Sequence, residues 1–166
     1  MGNKQTGKAI ADIETGVILA AIDIAAKPES IYNAFTKAKE IEHWWGSEDT
    51  YHMTQWKDNF RVGGDYTVIV RMSDRTERPA SGIFMEINFP TKISYTRRYD
   101  WDFPLLERKP TTITYNIKET ESGSRLTVRH EGFKGFEEAA NQHAEHWERV
   151  LGWLSKYLTA QHEQTK

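Results

Sequence analysis

The chain contains no cysteine. Disulfides, thiol nucleophiles and thiolate metal sites are therefore excluded. No run of about 18 apolar residues occurs, so no membrane-spanning helix is expected. Neither sign of charge dominates: 22 basic against 24 acidic residues leave a formal charge of −2. Without a basic excess there is no long-range pull toward nucleic acid or an anionic membrane. No linker, repeat or low-complexity block interrupts the chain. The opening MGNKQTGKAI lacks the apolar centre of a secretory signal, and the expectation is a soluble cytoplasmic protein.

Two N-terminal patterns lead nowhere. Gly2 to Lys8 approaches a phosphate-binding loop, but Ala9 stands where a magnesium-binding hydroxyl belongs, and no strand precedes it. Met1-Gly2 with Thr6 fits a myristoylation pattern that is short and common by chance. Residues 1–12 are expected as a flexible tail, 13–160 as one domain and 161–166 as a second tail.

What the chain does have is aromatics: six Trp, seven Tyr and seven Phe. Such residues fill cores and line ligand pockets, and composition alone leaves both readings open. The long final segment is the clearest element. From Gly135 to Leu158, the residues Phe136, Ala140, His143, Trp147, Val150, Leu151, Leu154 and Leu158 recur at steps of three and four. They share one face of an amphipathic helix. Before it comes a series of strands. Val17–Ile24 is a continuous β-prone run. Pro28 then opens a short helix through Ile31, Ala34 and Phe35, and Ile41, Trp44 and Trp45 suggest another, ended by Gly46. Tyr51–Trp56, Tyr66–Met72, Ser81–Ile87, Lys92–Tyr99, Thr111–Glu119 and Leu126–Glu131 read as strands divided by turn signals. Arg75–Pro79 reads as a hairpin loop and Asp100–Pro110 as irregular. Alternation along the later strands means one face buried and one wet, as in an antiparallel sheet. The class is α+β: a curved antiparallel sheet gripping a C-terminal helix, with two short helices near its start.

Several stretches taken together carry a resemblance: Ile22–Ile24 through Pro28, Ile31–Phe35, Ile41–Gly46 (IEHWWG), Asn59–Tyr66, Gly82 to Pro90, Ser94–Thr96, Thr112–Phe133 and Trp147–Leu158. Their order and spacing resemble the helix-grip fold of the START and birch-pollen-allergen superfamily (SRPBCC). Within it they are most similar to proteins related to the activator of the Hsp90 chaperone ATPase. The resemblance implies a seven-stranded sheet, two small helices between its first two strands, and a cavity for an apolar ligand. It implies no single activity. Family members commonly carry Gly-Trp early in the last helix. Here Trp147 follows His146, and Gly152-Trp153 comes later, so either tryptophan could face the cavity.

Candidate cavity residues follow from phase. Tyr66, Val68, Phe84, Tyr95 and Tyr115 point inward if strand registers hold. Trp44 and Trp45 are candidates for a lid, one packed inward and one capping the mouth. His143, Trp147 and Leu151 project from the last helix. His130 shares the phase of Leu126 and Val128, so it points in. There it would orient a ligand, or satisfy a core hydroxyl such as that of Tyr95 or Tyr115. His143 and His146 have the spacing of metal ligands, but a packed and a solvated histidine is the simpler reading, and neither metal nor cofactor is expected. Arg71, Arg97 and Arg98 are candidates to receive a carboxylate, but charged residues on strands usually face water, so they are read as a solvated strand face. No Ser/His/Asp order or paired carboxylates suggests catalysis.

The favoured function is non-catalytic binding of a small apolar or aromatic molecule, such as a lipid, polyketide or flavonoid-like compound. One alternative is a cyclase or hydrolase with His130 or His143 as general base. Another is chaperone regulation or protein interaction, with Trp101-Asp102-Phe103 as a contact patch. A monomer or weak dimer is expected.

Overall fold

The structure is a computed structural model that describes residues 7–101 and 106–164. Its elements run β1 (Lys8–Asp12), β2 (Val17–Ile24), α1 (Pro28–Thr36), α2 (Ala38–Trp44), β3 (Tyr51–Asp58), β4 (Asp65–Met72), β5 (Glu77–Asn88), β6 (Lys92–Tyr99), β7 (Thr111–Thr120), β8 (Gly123–Glu131) and α3 (Glu137–Gln164). The eight strands form one antiparallel sheet in the order β1-β2-β8-β7-β6-β5-β4-β3.

Three expectations need correction. The sheet has eight strands rather than seven, because Lys8–Asp12 pairs with β2 where a tail was expected. Two of its five residues are charged and it occupies an edge, so the stretch carries no strong pattern of its own. Glu77–Pro79 extends β5 rather than forming a loop, pairing with Ile69–Arg71 across from it. At the other end, α3 continues to Gln164 instead of giving way to a tail at 161. The two short helices lie between the second and third strands, since β1 precedes them.

Helix α3 buries the face its spacing announced. Ala140, His143, Trp147, Val150, Leu151, Leu154 and Leu158 are all buried. Each fully buried Val or Leu contributes about 1.5–3 kcal/mol by leaving water. The N-terminal edge is tied to the same helix: the Ala9 N–H donates to the Glu148 carboxylate at 2.9 Å.

Helices α1 and α2 pack against the sheet, α1 on β7 and α2 on β3. Phe35 stacks on Tyr115 with ring centroids 4.0 Å apart, and its other side meets Trp44 and Trp45 edge-on. Trp44 and Trp45 stack on one another at 5.0 Å, and both are buried, so neither stands as an open lid. Gly46 then reverses the chain with φ of +138°. A Cβ there would meet the Tyr51 carbonyl oxygen at 2.0 Å, so only glycine lets β3 return so close beneath Trp45.

Gly82 in β5 makes a comparable close approach. A Cβ there would lie 1.8 Å from the Thr96 carbonyl oxygen and 2.4 Å from the Tyr66 ring. That bare backbone lets Tyr66 lie flat and donate its hydroxyl to Thr96 O at 2.6 Å. Gly82→Ala is expected to cost about 1–3 kcal/mol or more, since the obstacle is backbone and cannot swing aside. A urea midpoint unchanged by this substitution would contradict the packing described.

Candidate functional site

Between the sheet and α3 lies a cavity of about 450 Å³. Its floor comes from β3 (Tyr51, Met53), β4 (Val70, Met72), β6 (Arg97, Tyr99) and β8 (His130). Its roof is α3, with His143, His146 and Trp147, while Trp45 and Trp101 close the sides. Glu145 and Arg149, both exposed, stand at the mouth.

Of the residues expected from sequence, Trp45, His130, His143 and Trp147 line this cavity. Trp44, Tyr66, Val68, Phe84, Tyr95, Tyr115 and Leu151 are buried in the core and do not. Tyr66 is covered by Trp56, stacked at 4.5 Å, and Tyr115 by Phe35. Of the two tryptophans on α3, Trp147 faces the cavity, whereas Trp153 packs on Tyr51 outside it.

His130 is wholly occupied by its neighbours. The Trp147 indole N–H donates to its Nδ1 at 3.0 Å. Nδ1 is thus the acceptor, so the proton sits on Nε2, which donates to Thr111 Oγ1 at 2.7 Å. The partner is Thr111, not Tyr95 or Tyr115. Those two tyrosines bond to each other at 2.6 Å. Burial, with the nearby His143, pushes the His130 pKa well below its ordinary value. A second proton would point a donor at the tryptophan N–H.

His143 donates from Nδ1 to the Ala139 carbonyl at 2.8 Å, which leaves Nε2 to accept from the Tyr99 hydroxyl at 3.3 Å. Burial holds its pKa down to about 4. His146 Nε2 accepts from the Tyr51 hydroxyl, which itself accepts from the Trp45 indole N–H at 3.1 Å. Burial likewise pushes His146 down to about 3. Three neutral histidines and two tyrosine hydroxyls thus form the polar part of an otherwise apolar wall. Among the described residues, no group of three or more His, Asp or Glu is placed to hold a metal ion.

Arg97 overturns its sequence reading. Its charge argues for a solvated face, yet only 2% of it is exposed and it lines the cavity. Arg71 and Arg98 do face water, in ion pairs with Glu77 and Asp100. The signal was present in the strand: Ile93, Tyr95, Arg97 and Tyr99 alternate, so Arg97 shares the inward phase. Its Nε–H donates to the Tyr66 hydroxyl at 3.4 Å, and its guanidinium lies 5.3 Å from the Trp45 ring centre and 5.5 Å from that of Tyr95. Burial opposes its charge, but the surrounding Tyr66, Tyr95, Tyr99 and Tyr115 hold its pKa well above the ordinary value.

Of the expected contact patch, Asp102 and Phe103 lie outside the described residues. Trp101 is half-buried against Tyr99 and beneath the Arg78 guanidinium, as part of the cavity wall. No described helix is long and apolar enough to cross a membrane.

Comparison with known proteins agrees with this architecture. A family model described as Activator of Hsp90 ATPase homolog 1-like protein matches residues 25–159. No curated protein matches the chain. Among solved structures, a protein of Rhodobacter sphaeroides superposes with a TM-score of 0.77 at 19% identity, covering 93% of this chain and 99% of that one. One from Chromobacterium violaceum gives 0.74 at 22% identity, covering 86% and 96%. An AHSA1-like protein from Aeromonas hydrophila gives 0.70 at 16%, covering 87% and 92%. At these identities the likeness speaks for the fold alone.

Proposed function

Because the chain belongs to the Activator of Hsp90 ATPase homolog 1-like protein family, whose fold does not by itself dictate an activity, we propose that it binds a small aromatic or apolar molecule without transforming it. The observation that carries this reading is the cavity between sheet and α3, with Trp45, Trp101, Trp147, Met53, Val70 and Met72 on its walls. Its volume falls within the range of small-molecule sites. Apolar burial would supply about 25 cal/mol per Å² before the costs of association.

The catalytic alternative finds little support. His130 has both ring nitrogens engaged in the core. His143, with a pKa near 4, is a weak base at neutral pH. The interaction alternative loses Trp101 as a free contact, since it is committed to the cavity wall.

The test is a thermal-shift and calorimetric screen with fused-ring aromatics, polyketide-like phenols and fatty acids. Binders should raise the melting temperature, and Trp45→Ala and Met53→Trp should each weaken them, the first by removing a wall and the second by filling the space. Absence of binding across all three classes would end this reading.

A further inference from the structure

Resting on the cavity-binding reading above, we infer that the molecule it holds is a monoanion, an aromatic or fused-ring carboxylate whose oxygens meet the Arg97 guanidinium at the inner end. The argument begins with Nη2 of Arg97. That nitrogen is fully buried and has no hydrogen-bond partner, alone among the buried side-chain polar atoms of the described residues. A buried N–H without an acceptor is costly, and a buried charge without a counter-charge more so. The described ion pairs all lie between exposed side chains, and none includes Arg97. Aromatic faces ease the burial of the cation, but they accept no hydrogen bond of ordinary strength.

The surroundings select the acceptor. Two of the aromatic neighbours, Trp45 and Tyr99, line the same cavity as Arg97. A planar ring system can lie along Trp45 and Trp147 with its acid group directed at the guanidinium, whose planar fork matches a carboxylate. One cation favours one negative charge. A doubly charged phosphate would bury a second charge among the neutral His130, His143 and His146. At the mouth, exposed Arg149 offers a rival cation, with Glu145 beside it on the same helix.

The experiment uses 2-naphthoic acid and its uncharged isostere 2-naphthamide, titrated calorimetrically into the full chain at pH 7. The acid is expected to bind about tenfold tighter or better, as a charge-assisted hydrogen bond would give. Arg97→Met should erase that preference while the amide still binds, and Arg149→Met should leave it intact. Equal affinity of acid and amide, or a preference abolished by Arg149→Met, would overturn the inference and leave the cavity-binding reading standing. Failure of both compounds at millimolar concentration, with no other ring system binding either, would remove both. Should Arg97→Met not fold, a crystal structure with 2-naphthoate decides. A carboxylate on the Arg97 guanidinium supports the inference, and one on Arg149 refutes it.

Discussion

Trp147→Ala is expected to lower stability by about 3–5 kcal/mol, a large share of what a domain of this size holds. Two losses combine. The indole is 2% exposed and meets Trp45, Tyr115 and His130, so its removal opens a cavity joined to the existing one. It also strips His130 Nδ1 of its donor, leaving a buried acceptor unsatisfied. Trp147→Phe separates the two effects. It keeps most of the ring but not the N–H, and is expected to cost about 1–3 kcal/mol. Urea unfolding monitored by far-ultraviolet circular dichroism reads both. A Trp147→Ala protein with the wild-type midpoint would mean that α3 does not lean on the sheet through this residue.

Acid should unfold the protein earlier than its carboxylates alone would require. His143 is neutral in the fold until about pH 4, against an ordinary value of 6.5, and burial depresses His130 in the same direction. Between those limits the unfolded chain binds protons that the folded chain refuses. Stability is therefore whole above about pH 6.5 and falls as pH drops toward 4. Each such histidine contributes a slope of up to about 1.4 kcal/mol per pH unit, so His143 alone accounts for a loss on the order of 3 kcal/mol. His146, depressed by burial in the same direction, adds to this slope. Unfolding free energies at pH 7, 6 and 5 give the slope, and His143→Gln should flatten it. Indifference to pH over that range would show that water reaches these rings.

The periodic elements were legible because burial imposes a period. β6 has the bounds expected beside the turn at Asn88-Phe89-Pro90, Lys92–Tyr99, and the stripe on α3 is the buried one. His130 faces inward as its phase required. Two kinds of feature were not legible. Phase says that Tyr66, Phe84 and Tyr115 point inward, but not whether they meet a neighbour or empty space. That depends on α1, whose Phe35 fills the room in front of Tyr115. Arg97 was misplaced because the usual preference of charge for water outweighed the alternation of its own strand. A buried cation breaks that preference only where the fold supplies aromatic faces, and those come from α2's end and from its own strand.

The pairing of β2 with β8 sets a limit on dissection. The family model's match begins at residue 25, after β1 and β2 have already ended. Yet Ile18, Ala20, Ile22 and Ile24 sit in the core, and the whole of β2 hydrogen-bonds along β8. A fragment cut at the borders of sequence similarity would bare a raw sheet margin beside His130 and uncover the underside of α3. Such a fragment should clump rather than fold, so the autonomous unit is wider than the stretch the family model matches.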